Sequence, residues 1–419
     1  MAYSKDNSGN RARPRIVVTG MGAVSPFGVG LGPLWEGLAG GRQPIGKVGL
    51  FDVEGHRTEH ASLVPDDAVP TSQDSRRLSR TDRFALLAAR EAWESANLGD
   101  IGSHPQAGLF FGTCTGGMLE GESAFLAWDT SVPERARFKS FGLQTNGTPA
   151  DMVAREFGLC GPIEIVASAC AASTMAIEAA LDSIRSGEVE IALVGGADGM
   201  CRTSFEGFNA LRAIDPECAR PFRAERAGLI LGEGAGVLVL ESEQHALARG
   251  AEPLAVVAGA SSTCDAYHMT APDPEGVGVV RAMRAALEDA ELPREAIAFL
   301  NAHGSGTPHN DVAEAKAIAE VFGERTAKLP VTSTKGAIGH GLGTCGALEA
   351  IATLQCLRNG VVHPTPGVGP VDPETPVDLV LGEPRRLVHA RAAMSINLAF
   401  GGANAAVVLC TWEGANPDA

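Results

Sequence analysis

The chain has 419 residues, 45% hydrophobic and 20% charged, which is ordinary for a globular protein with a large core. A net charge of −16 argues against a general nucleic-acid or anionic-membrane binder, and no apolar run reaches the roughly 18 residues of a membrane helix. The start, MAYSKDNSGNRARPR, lacks the apolar centre of a secretion signal. The nine cysteines show no C-x-x-C pair and no metal-type spacing. Free thiols in a reducing cytoplasm are therefore expected, with neither a metal nor a cofactor.

Residues 1–13 read as a flexible tail, and residues 15–20 as a buried strand. Gly20-Met21-Gly22-Ala23-Val24-Ser25 lacks the third glycine of a dinucleotide fingerprint, and Pro26 stands where a phosphate-binding helix should begin. It is read as a tight strand exit. Residues 82–96 form an amphipathic helix with Phe84, Leu87, Ala88 and Ala92 on one face. A buried strand at 108–112 leads into Thr113-Cys114-Thr115-Gly116-Gly117. The β-branched run Ile163-Glu164-Ile165-Val166 reads as another buried strand, passing through Cys170 into an Ala-rich helix with Met175, Ile177 and Leu181 facing the core. Strands follow at 191–198 and 234–241.

The second half repeats the style. Strands are expected at 253–259, 298–303, 392–397 and 405–409, and helices at 277–290, 311–322 and 346–357. Alternating strands and helices indicate an α/β protein with buried sheets and a seam near residue 255. Arg76, Arg77, Arg80 and Arg83 cluster in sequence, as do Arg220, Arg223 and Arg226. Both clusters are read as solvated faces, with docking of an acidic partner as the alternative. His56 and His60 lie in a polar stretch without a third ligand and are read as surface.

Cys170 stands where a strand turns into a helix. The unpaired N–H groups and the positive end of the helix dipole favour thiolate there, so its pKa is expected to fall below that of free cysteine. His303 precedes a Gly-Ser-Gly turn at a strand exit, and glycines flank His340 within Ser333–Gly343. A third segment, Asn397-Leu398-Ala399-Phe400-Gly401-Gly402-Ala403-Asn404, sets one bulky residue among small ones. One cysteine with two loop histidines supplies a nucleophile and two imidazole donors.

The ordered motifs Val17–Gly22, Asp82-Arg83-Phe84, Arg220-Pro221-Phe222, Gly232–Gly236, Asp265–Thr270, His303–Asp311 and Gly401–Asn404 run nearly end to end. In them the chain resembles the β-ketoacyl-acyl-carrier-protein synthases, especially the synthase II type and its type II polyketide relatives. The resemblance implies the thiolase fold, in which two similar α/β halves form five αβαβα layers. The halves would cover residues 14–255, with the nucleophile, and 256–412, with both histidines, and 413–419 would be a tail.

It further implies that Cys170, His303 and His340 form a catalytic triad supported by Lys335 and Glu349. Phe400 would be the gate, with Ala399 and Gly401 beside it and the Cys170 and Phe400 N–H groups as oxyanion hole. Thr115, His268 and Thr307 would line the acyl pocket. The implied reaction is decarboxylative condensation of an acyl group on Cys170 with malonyl-acyl carrier protein, in fatty-acid or polyketide synthesis. The implied partners are acyl carrier protein and a second subunit, as a homodimer or as a heterodimer with a chain-length-factor-like chain. The alternatives are a non-catalytic chain-length-factor-like subunit, which would lack the cysteine, and a thiolase-type acyltransferase. The chain departs from the family at Arg223, Ala227, Leu229, Leu398 and Ala399. Ala399 replaces a glycine, so the gate is expected to open differently.

Overall fold

The computed structural model describes residues 13–70, 77–129 and 138–414. Of the two expected tails only Arg13, Glu413 and Gly414 fall among the described residues, and Arg76 does not. Arg13 is tied down, its guanidinium 2.6 Å from Asp289.

Two β units of the same design make up the core. The first contains β1 (Ile16–Ser25), β2 (Gly108–Gly112), β3 (Ile163–Val166), β4 (Ile191–Asp198) and β5 (Gly234–Ser242), in the order β3-β2-β4-β5-β1. The second contains β6 (Ala255–Cys264), β7 (Ile297–Asn301), β8 (Pro330–Thr332), β9 (Asp378–Leu379), β10 (Ala392–Leu398) and β11 (Ala403–Cys410), in the order β9-β8-β7-β10-β11-β6. From β3 to β1, and again from β8 to β6, the neighbours pair parallel, parallel, antiparallel and antiparallel. The units join where Ile16–Val18 pairs with Ala255–Val257.

Helices complete five layers. Between the units lie α3 (Ala172–Arg185) and α6 (Cys345–Asn359). Ile177, Leu181, Leu348 and Ile351 of these helices share one apolar cluster with Val18, Val194 and Leu240 of the first unit and Val257, Val407 and Leu409 of the second. Every residue of α6 from Cys345 to Leu357 is buried, as befits a helix apolar on all sides. Outside the first unit pack α1 (Arg80–Ser95) and α2 (Thr148–Phe157). Outside the second pack α4 (Val277–Asp289) and α5 (Pro308–Phe322). This is the α/β thiolase architecture the resemblance implies. Helix α1 begins two residues before its expected start because Ser79 and Asp82 form a capping box: Ser79 Oγ accepts from Asp82 N–H at 3.0 Å, and Asp82 accepts from Ser79 N–H at 2.7 Å.

Three expectations are corrected. Gly20 to Ser25 is not a strand exit but the continuation of β1. A Cβ at Gly20 would meet Ala92 O at 2.2 Å and one at Gly22 would meet Ala88 O at 2.1 Å, so these glycines let α1 lie on the strand. Strand β3 is not buried: Ile163 and Glu164 are exposed, because among the described residues β3 pairs only with β2 and forms a sheet edge. The arginine clusters are not solvated faces. Arg80 is buried against Glu233 at 2.6 Å, Arg220 against Asp215 at 2.8 Å, and Arg226 against Asp372. Arg223 is buried too, donating to the carbonyls of Gly369, Thr365 and Gly367. Of the described members only Arg77 and Arg83 keep substantial contact with solvent. Among the described residues no helix is long and apolar enough to cross a membrane.

Candidate active site

Cys170 does not begin the helix proper. It sits in a single 3-10 turn, Ala169–Ala171, between β3 and α3, entered through Ala169 at φ 46°. Gly112 at the end of β2 makes room for this junction, since a Cβ there would meet Ser173 N at 2.4 Å. The thiol is 7% exposed. Burial pushes its pKa up to about 11, against the opposing pull of the Lys335 cation and of the Phe400 and Cys170 N–H groups. The expected depression below free cysteine is therefore overturned: desolvation outweighs the helix start.

The loops at the other end of the middle layer bring up the two histidines. Cys170, His303 and His340 line one cavity of about 350 Å³, together with Phe208, Arg212, Ala227, Leu229, Thr270, Thr307, His309, Asn310, Leu398, Ala399 and Phe400. The imidazoles lie edge to face with centroids 5.5 Å apart. Burial, reinforced by Lys335, lowers His340 to about 3. Burial, Lys335 and His340 push His303 well below the ordinary histidine value. Both rings are thus neutral at neutral pH.

Hydrogen bonds select their tautomers. His340 Nδ1 accepts from Leu342 N–H at 3.1 Å, leaving the proton on Nε2. His303 Nδ1 faces the Asn397 amide NH₂ at 3.4 Å, which selects the same tautomer. That amide also donates to Glu349 at 2.8 Å, while its oxygen accepts from Thr174 Oγ at 2.6 Å, so its orientation is set. Glu314 receives the N–H groups of His303 and Gly304 at 2.5 and 2.8 Å and fixes the loop they stand on. Burial and the neighbouring Asp311 push Glu314 up to about 8.

Lys335 and Glu349 form a buried ion pair behind the histidines. Burial alone would lower Lys335, but Glu349, together with Cys345 and Cys170, raises its pKa above the ordinary lysine value. Phe400 stacks on Phe208 at 5.6 Å over the cavity. Ala399 is extended, with φ −125°, so alanine is unstrained there. The positive φ values of 84° and 81° fall on Gly401 and Gly402, which carry the turn.

Not every expected residue reaches the cavity. Thr307 lines it, but Thr115 and His268 do not. Thr115 is buried with its hydroxyl on Asp198 at 2.8 Å. His268 is exposed and accepts the N–H groups of Thr270 and Ala271, shaping a turn whose members line the mouth. Sequence reasoning passed over Asp198, Glu314 and the side chain of Asn397. Asn397 opens a segment already singled out, and a polar residue late in an apolar strand was the signal available.

Comparison with known proteins follows the same lines. Residues 13–246 match the model of the β-ketoacyl synthase N-terminal domain, and residues 254–368 that of the C-terminal domain. The 3-oxoacyl-[acyl-carrier-protein] synthase 2 of Staphylococcus aureus is 37% identical over 410 residues, covering 95% of this chain and 99% of that protein. The solved structure of the ishigamide ketosynthase/chain length factor is 37% identical with a TM-score of 0.89, covering 96% of this chain and 100% of that chain. A type II polyketide acyl-carrier protein in complex with its ketosynthase bound to the hexaketide gives a match of 28% identity and TM-score 0.87, covering 96% of this chain and 100% of that chain. With matched domains over both halves, full-length relatives and a buried Cys-His-His cavity at the junction, the chain belongs to the β-ketoacyl synthase family of condensing enzymes.

Proposed function

We propose that the protein catalyses decarboxylative condensation of an acyl group on Cys170 with a malonyl group on acyl carrier protein, giving a β-ketoacyl-carrier protein. The observation that carries this reading is the convergence of one thiol and two neutral N–H-donating imidazoles on a single cavity. Cys170 sulfur attacks the thioester carbonyl of the acyl carrier. The Phe400 and Cys170 N–H groups, which already act on the sulfur, hold the developing oxyanion. The carrier thiolate leaves and takes up the proton given up by Cys170. Malonyl carrier then enters and its C–C bond to the carboxylate breaks, releasing CO₂. The electron pair remains as an enolate, whose oxygen accepts from Nε2–H of His303 and His340. Neutral imidazoles suit this role, because they donate without protonating the carbon that must react. That carbon attacks the acyl carbonyl, and Cys170 leaves as a thiolate that takes a proton from solvent. Each well-placed donor is worth about a hundredfold in rate.

The partners in this reading are an acyl carrier protein and a second ketosynthase-type subunit, either identical or chain-length-factor-like. The similarity to a ketosynthase/chain length factor and to a ketosynthase in complex with its acyl-carrier protein supports both. The open edge of β3 supports a subunit contact.

Mass spectrometry after incubation with acyl carrier protein tests the proposal. An acyl mass should appear on Cys170, and added malonyl carrier should discharge it as β-ketoacyl product. The Cys170→Ala variant should form neither. Condensation undiminished in that variant would sink the reading, and activity on acetyl-CoA pairs without malonyl would replace it with a thiolase reaction.

A further inference from the structure

We infer that Asp198 is a positioning residue of this site: it clamps the turn Gly341–Cys345 and so fixes the ring of His340. The inference rests on the condensation reading for its kinetic part only.

Asp198 ends strand β4 and is 1% exposed. Its Oδ1 accepts from Thr113 Oγ at 2.9 Å, Cys114 N–H at 2.9 Å, Thr115 N–H at 2.8 Å and Thr115 Oγ at 2.8 Å. Its Oδ2 accepts from Gly343 N–H at 2.6 Å and lies 3.0 Å from Cys114 N. Among the described residues no basic side chain pairs with it. Burial alone raises its pKa, and these donors oppose that. The carboxylate thus ties the loop after β2 to the turn before α6, with the strand that positions both.

The approach is too close for a side chain. A Cβ at Gly343 would meet Asp198 Oδ2 at 2.7 Å and the nitrogen and sulfur of Cys114 at 3.0 Å. On one side of Gly343, Leu342 N–H donates to His340 Nδ1 at 3.1 Å. On the other, Cys345 Sγ lies 3.7 Å from the same nitrogen, and burial keeps that thiol protonated and able to donate. Leu342 holds φ 54°, a left-handed conformation that is strained for a leucine and persists only where the surroundings impose it. The Asp198–Gly343 bond, one residue away, supplies that constraint. The chain of contacts runs from carboxylate to glycine amide, to strained leucine, to imidazole.

Asp198→Asn tests it. An amide NH₂ presents a donor to the N–H groups on whichever side it turns, so an anchor is lost with volume conserved. Protein labelled with ¹⁵N-histidine reports the His340 tautomer from two-bond ¹H–¹⁵N couplings, whether or not the enzyme turns over. The wild type should show Nε2–H alone, and the variant a mixture of tautomers. Its kcat should fall about tenfold or more, with KM for malonyl carrier changed less than about twofold. If Asp198→Asn does not fold, Gly343→Ala breaks the same link from the other side and should give the same mixture. An unchanged tautomer pattern in the folded variant overturns the inference, even if activity falls. Absence of condensation by wild type would overturn the reaction proposed above, and the spectra would still decide the clamp.

Discussion

At the scale of single residues, burial governs the chemistry of this site. Cys170 is a thiol at neutral pH, so its alkylation by iodoacetamide should accelerate about tenfold per pH unit from pH 7 to 9 with no plateau. A plateau below pH 8 would show that the helix start wins after all. His340 makes a second prediction. Its folded pKa, about 3, lies below the unfolded value of roughly 6.5. The unfolded chain therefore binds the extra proton as pH falls below about 6.5, and stability from this group is full above that pH and lost beneath it. The His340→Asn variant, which cannot titrate, should lose less stability than wild type between pH 6.5 and 4.5. The difference should be about 1.4 kcal/mol per pH unit in urea titrations, and parallel curves would refute the assignment. That Cys170, His303 and His340 meet in one cavity was anticipated from their residue types and settings, a cysteine at a strand-to-helix turn and two histidines on glycine-rich loops. The direction of the Cys170 shift was not, because desolvation depends on what covers the thiol, and Phe400 arrives from 230 positions away in the chain.

Elements place these residues. Cys170 follows β3, His303 follows β7 and the His340 turn follows β8, so the site collects loops at strand ends and the starts of α3 and α6. Element type and order were readable from apolar periodicity, and the bounds of β2 and β4 coincide with the expected ones. The misreading of Gly20 and Gly22 has a physical cause: a glycine needed for a turn and one needed for helix contact look alike in one dimension. Gly22→Val would push its side chain into the Ala88 carbonyl. It should lower stability by about 2 kcal/mol or more, read from the urea midpoint, and a wild-type midpoint would contradict the contact. Arg80 and Arg226 teach a related lesson. Clustered arginines suggest solvent until the fold supplies Glu233 and Asp372 from distant segments.

At the scale of the whole molecule, the two β units enclose α3 and α6, so Cys170, His303 and His340 lie between halves and both must fold to build the cavity. The molecule also leaves a surface to be covered. Ile163 on β3 is 43% exposed, and the helix Met118–Asp129 shows Phe125 at 49% and Trp128 at 50%. An open strand edge and exposed large apolar side chains each favour pairing with another chain. On the two-subunit reading proposed above, Ile163→Lys combined with Trp128→Glu should shift the sedimentation profile from dimer towards monomer. A dimer unchanged in the double variant would place the subunit contact elsewhere.

By itself the sequence determined the α/β alternation, the family through its ordered motifs, and the residue types that supply one thiol and two imidazoles. These follow from local periodicity and from chemistry that side chains carry wherever they stand. Tertiary structure decided the rest. It raised Cys170 instead of lowering it, turned the arginine clusters inward, exposed β3, and assigned Asn397, Glu314 and Asp198 to the support of the histidines. Burial and hydrogen-bond partners are properties of the packed chain, and the residues that supply them here lie from 11 to 145 positions apart.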